Sequence, residues 1–111
     1  MDNQLVSDAD VEKALDWLRD SANDIGEAKR RTVKADHMLK HVRALAMKQH
    51  PGLPVSAQER EAFASDQYMA ALDEASATAG EFEKLKSLRE AAALKIEVWR
   101  SMGANFRAMK I

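Results

Sequence analysis

Charge runs along this chain in four alternating blocks, and few folds can use such an arrangement. Residues 1–28 carry eight acids against Lys13 and Arg19, a net of −6, and residues 29–50 carry seven bases against Asp36, a net of +6. Residues 51–83 carry seven acids against Arg60, a net of −6, and residues 84–111 carry seven bases against Glu90 and Glu97, a net of +5. A chain folded back near residue 57 sets every block against its opposite. The pattern constrains architecture strongly and leaves activity open.

Hydrophobic spacing makes the same argument. Small or apolar residues recur at Val11, Leu15, Leu18, Ala22, Ile25, Ala28, Thr32, Ala35, Leu39, Val42 and Ala46. Their average step of about 3.5 is that of a coiled-coil seam. The doubled step of three at Ala22, Ile25 and Ala28 reads as a stammer, and Gly26 inside it predicts a local bend. Ser7 opens this helix by offering its hydroxyl to a free amide, and Asp8 and Asp10 suit the positive end of the helix dipole. The helix is expected over 8–49, ending before Pro51, which disfavours helical geometry in the residue ahead of it.

Residues 50–56, HPGLPVS, predict a turn. Ser56 with Glu59 has capping-box spacing, so a short helix is expected over 57–64. Ser65 followed by Asp66 begins a long helix expected over 66–108, with Tyr68, Leu72, Ala75, Ala79, Phe82, Leu85, Leu88, Ala92, Ile96, Trp99 and Phe106 on its seam. The tips, 1–6 and 109–111, are expected to fray. Two helices of about 42 residues, roughly 63 Å each, joined by a short connector predict an all-α, antiparallel helical hairpin spanning 1–111 as one domain. If residue 49 faces 66, Trp17 lies near Val98 and Trp99, and Ala9 lies near Phe106. The basic run 29–48 then faces the acids of 66–83 as a charge zipper.

Aromatics make up only 5% of the chain, and alanine supplies much of the apolar content, so a thick core is not expected. A hairpin hides one stripe of each helix. Trp17, Met38, Met47, Leu53, Phe63, Tyr68 and Met69 exceed what such a seam covers. Self-association into a dimer or higher helical bundle is therefore expected, and the charge blocks fit a closed hairpin and a domain-swapped pairing alike.

Candidate functional residues fall into three groups. Arg30, Lys34, His37, His41 and Lys48 share one helical face that could follow a phosphate backbone; the competing reading is that these bases serve the charge zipper. Trp99, Arg100, Phe106 and Arg107 combine residue types enriched at interface hot spots, with Trp17 as the seam partner of the aromatics. They are candidates for assembly or partner contact. His37 and His41, at i and i+4, could grip a metal, but no third ligand follows and the neighbouring residues lack the glutamate of a catalytic zinc helix, so no metal or other cofactor is expected.

No nucleophile motif, glycine-rich phosphate loop or Ser/His/Asp constellation is present, and the chain is not expected to be an enzyme. No cysteine is present, which removes disulfides and thiolate metal sites from consideration. The acidic start lacks a secretory signal, and no stretch is apolar enough to span a membrane.

The second half adds a resemblance. Ala-Ser-x-x-Tyr at 64–68, Glu-x-Glu-Lys-Leu-Lys at 81–86, and Ile96-Glu97-x-Trp99-Arg100 followed by Ala104-Asn105-x-Arg107 resemble small helical proteins encoded by tailed bacteriophages among replication and recombination genes. The likeness covers residues 58–107. It implies a context, phage DNA metabolism in the cytoplasm of a bacterial host, and assigns no catalytic residue. The expected function is a non-enzymatic, self-associating helical protein acting by protein–protein contact, as an accessory factor in replication or recombination or as a modulator of a host protein. The alternative is a nucleic-acid-binding module using the basic face of the first helix.

Overall fold

The structure, a computed structural model, describes residues 5–109. All regular structure among them is helical: α1 (Asp8–Asp20), α2 (Ala22–Met47), α3 (Val55–Phe63) and α4 (Asp66–Met109). No helix among the described residues is long and apolar enough to cross a membrane. The fold is the expected antiparallel helical hairpin. Its described residues group into two compact units. One, the capped unit, joins the residues up to Ile25 to those from Lys84 onward; the other, the turn unit, is Gly26–Glu83.

In the capped unit, α1 begins where Ser7 predicts. The Ser7 hydroxyl accepts from the Asp10 amide at 3.1 Å, and the Asp10 carboxylate accepts from the Ser7 amide at 3.0 Å. The hydrogen bond from the Ser7 backbone holds the Asp10 carboxyl below its ordinary value, helped by the Ser7 hydroxyl. Of the tips expected to fray, residues 1–4, 110 and 111 lie outside the described residues, Val6 is buried and Met109 belongs to α4.

The expected first helix of 8–49 is divided by Ser21 alone and ends at Met47. The division falls ahead of the stammer, and α2 runs through Gly26 unbroken. Arg89 is the physical cause. Its guanidinium donates to the Leu18 carbonyl at 2.8 Å and to the Ser21 hydroxyl. A side chain inserted at the carbonyl ladder is a recognised origin of helix breaks.

Burial also removes the stammer. The residues turned inward are Val11, Ala14, Leu18, Ser21, Ile25, Ala28, Thr32, Ala35, Leu39, Val42 and Ala46, an unbroken alternation of three and four. Leu15 and Ala22, expected on the seam, are exposed. On α4, Thr78 and Arg89 turn inward where Ala79 and Leu88 were expected. Arg89 takes the seam because it has a bond to make there, whereas the Thr78 hydroxyl donates to the Ala75 carbonyl of its own helix at 3.1 Å and only its backbone carbonyl serves the facing helix. Thr32 donates to the Thr78 carbonyl at 3.3 Å in the turn unit, and Arg89 reaches Ser21 in the capped unit.

The pairing register also differs. Facing residue numbers add to 107 at Asp8–Trp99 and to 110 at Thr32–Thr78, against an expectation of about 115. The shift is close to one heptad. A 3.5-residue repeat is satisfied equally well after a slip of seven, so the seam pattern alone does not choose between them. In the turn unit α3 makes the choice. Arg43 pairs with Glu59 at 3.8 Å and lies 5.3 Å from the centre of the Phe63 ring, so the end of α2 faces α3 and α4 pairs further back along α2.

Helix α3 starts at Val55 with Pro54 as its N-cap, two residues before the expected start, and no side chain caps it. Gln58 explains the early start, because its amide donates to the carbonyls of His50 at 2.9 Å and Leu53 at 3.1 Å and closes the turn from within. The start of α4 is as expected: the Ser65 hydroxyl accepts from the Tyr68 amide at 3.2 Å. Phe63 and Tyr68 meet edge to face at 5.2 Å.

Candidate interaction surface

Alanine builds this core. Among the described residues the buried apolar ones are Val6, Val11 and seven alanines, and no large side chain is fully buried. Small seam residues let helix backbones approach closely. They also leave the large apolar side chains of the same helices outside, among them Val33, Met38, Leu45, Leu72 and Leu88.

The turn unit gathers some of these on one face. A groove of about 450 Å³ lies between α2 and α4, lined by Arg30, Arg31, Lys34, Ala35, Met38 and Val42 from α2 and by Ala71 and Glu74 from α4. It continues into a smaller depression of about 180 Å³, where Arg31 and Glu74 meet Ala77, Thr78 and Glu81. Leu45, one heptad beyond Met38, extends the apolar row; the two are 48% and 41% exposed.

The expected charge zipper is not made of direct ion pairs. Among the described residues no base of α2 pairs with an acid of α4; the one ion pair between different elements joins Arg43 to Glu59. Arg30 is held by Glu27 on its own helix, at 3.0 Å. That contact raises the Arg30 pKa and holds the Glu27 carboxyl below its ordinary value. Arg31, Lys34, Glu74 and Glu81 make no ion pair. Arg31 and Lys34 thus face Glu74 and Glu81 across the groove with their charges unpaired.

Arg30, Lys34, His37, His41 and Lys48 are all exposed, and Arg30 and Lys34 line the groove. His37 and His41 find no third ligand: no group of three metal-ligating side chains forms among the described residues.

In the capped unit Trp17 does not reach Val98 and Trp99. It lines a separate groove of about 410 Å³ with Lys13, Leu88, Ala91 and Lys95. Trp99 instead donates its indole N–H to Asp8 at 2.8 Å and is 37% exposed. Arg100 pairs with Glu97 one turn back, at 3.0 Å. The Arg107 guanidinium lies 3.6 Å from where a Cβ on Gly103 would sit. Phe106 is 58% exposed. The heptad slip separates Trp17 from Trp99, so the expected aromatic cluster does not form between them.

Arg31, Met38, Glu74 and Glu81 were not singled out as site residues from the sequence. Their signal was present: Arg31 and Met38 are seven apart, as are Glu74 and Glu81, so each pair lies on one helical stripe. Comparison of the chain with protein-family models, with curated proteins and with solved structures returned no match.

Proposed function

We propose that this chain is a non-enzymatic helical protein that self-associates and works by protein–protein contact. One observation carries the reading. The chain exposes 8435 Å², whereas a compact monomer of 12.4 kDa exposes about 6,100 Å². The surplus of about 2,300 Å² exceeds the roughly 800 Å² that one partner contributes to a standard interface. Two helices have no further layer over their outer faces, and the larger apolar groups there are left without cover. The likeness of residues 58–107 to phage-encoded helical proteins supports a setting in phage DNA replication or recombination, either as an accessory factor or through a host protein. Light scattering over a wide concentration range tests self-association: a mass that climbs to a multiple of the monomer is expected, and a monomer mass throughout would refute the reading.

A second reading, nucleic-acid binding, draws on a different observation. Lys34, His37, His41 and Lys48 are exposed and none of them is in an ion pair. Oligonucleotide binding through them would weaken steeply with salt. An affinity that ignores salt, or that survives reversal of Lys34, would remove this reading.

A further inference from the structure

We infer that the groove face of the turn unit is where a second copy of this chain docks, with α2 of each copy lying antiparallel on α4 of the other. The inference rests on the self-association reading and adds to it a surface, a symmetry and a set of opposed residues.

Charge complementarity selects the occupant. The α2 side of the face presents Arg31 and Lys34, and the α4 side presents Glu74 and Glu81. None of the four is in an ion pair with another described residue. Between them runs an apolar floor of Ala35, Met38, Val42 and Ala71. A surface with one basic edge and one acidic edge complements itself under a two-fold rotation.

Two ways of placing the faces together by a two-fold can be compared. An axis in the interface and perpendicular to the helices sets α2 on α2, base against base. An axis parallel to the helices sets α2 of each copy on α4 of the other. In that arrangement residues at one height stay at one height. Arg31 and Lys34 then meet Glu74 and Glu81 of the second copy with no offset along the helix. The four helices alternate in direction and in charge around the assembly, so both neighbours of each helix are antiparallel and oppositely charged. Antiparallel neighbours also suit the helix dipoles. The stretch from Ala28 to Leu45 runs about 26 Å and two packed helices span about 20 Å. That footprint is in the range of a small specific interface.

The test uses two charge-reversed chains, R31E/K34E and E74K/E81K. All four sites lie on the groove face outside any intrachain ion pair, so both variants should keep the wild-type helical circular dichroism. Each alone should assemble at least about tenfold more weakly than wild type, because like charges now oppose across both halves of the two-fold. An equimolar mixture should recover assembly as a heterodimer, since the reversed α2 of one variant meets the reversed α4 of the other. A wild type that associates while both variants assemble equally well would overturn this surface and leave self-association standing. Weakened variants that do not rescue each other on mixing would overturn the proposed pairing. A wild type that stays monomeric would overturn both readings. A wild type that gains mass only with an added oligonucleotide, and loses that gain in R31E/K34E, would do the same in favour of phosphate binding.

Discussion

The capped unit and the turn unit solve one packing problem by different means. In the capped unit, directional polar bonds clasp α1 to α4: Trp99 to Asp8, and Arg89 to Leu18 and Ser21. Each bond has a specific geometry, so together they hold one register. In the turn unit the polar contact between α2 and α4 is a hydroxyl, from Thr32 to the Thr78 carbonyl, while the Arg43–Glu59 pair joins α2 to α3. Close approach through Ala28, Ala35, Ala46 and Ala75 does the rest, aided by the Lys29 ammonium 5.1 Å from the centre of the Phe82 ring. The contrast carries a lesson about surfaces. In the capped unit the bonds that hold the helices together also fix their register, while charges such as Lys13 and Lys95 remain exposed beside its groove. Where alanine does that work, the bases and acids remain available to a partner.

Four substitutions or sets of substitutions would break or sharpen this contrast. The largest effect is expected from Ala35→Leu, which forces a bulky group into the close approach of the turn unit and should cost about 1–3 kcal/mol in urea unfolding. Ala91→Leu makes the comparison: it points into the open groove beside Trp17 in the capped unit and should change stability by less than about 0.5 kcal/mol. Equal losses would show that the two units are packed alike. Next is Arg89→Met, which keeps the aliphatic stem but leaves the buried Ser21 hydroxyl and the Leu18 carbonyl without their donor. A loss of about 1–2 kcal/mol is expected, and a wild-type melting curve would show that the clasp contributes nothing.

Ser7→Ala should cost about 1 kcal/mol by removing the cap of α1. Its pH dependence supplies a further check. The Asp10 carboxyl titrates below its ordinary value of 3.8 because of Ser7. Its contribution is therefore complete above that value and is lost as the pH falls through the folded-state value. The stability gap between wild type and Asp10→Ala, which loses the carboxylate held by the Ser7 amide, should narrow on acidification below pH 3.8; a gap that is flat or widens there would contradict the capping box. The smallest effects are expected from Gly26→Ala and Gly80→Ala. Both glycines sit inside helices with no positive φ, and nothing lies within 4 Å of a Cβ added at either. Each should stabilise the turn unit by about 0.4–1 kcal/mol. Destabilisation would mean that these positions bend in a way the regular helices do not display.

The hairpin and its end points were legible because periodicity, capping and proline act locally. Ser7 and Ser65 cap as their sequences suggest, and the turn falls at its two prolines. Three features were not legible. The seam was read by hydropathy, so Leu15 and Leu88 were placed inside where Ala14 and Arg89 belong; Arg89 has a bond to make across the interface, and Ala14 is small enough for the helices to approach closely. Register is ambiguous by one heptad until α3 is placed, and the α3 start depends on a side-chain bond from Gln58 that no cap pattern announces. The basic face of Arg30, Lys34, His37, His41 and Lys48 was legible as a stripe. Its companion, the acidic stripe of Glu74 and Glu81, was present in the sequence as a seven-residue spacing, and register set it beside Arg31.

The most direct test of the central claim, that an alanine-lined hairpin of this kind needs a second copy to cover it, is the mass of the wild-type chain in solution by sedimentation equilibrium across concentration and salt. The expected result is a mass that rises from 12.4 kDa toward twice that value with concentration and falls back as salt screens the opposed edges. A mass of 12.4 kDa at every concentration and every salt would contradict it.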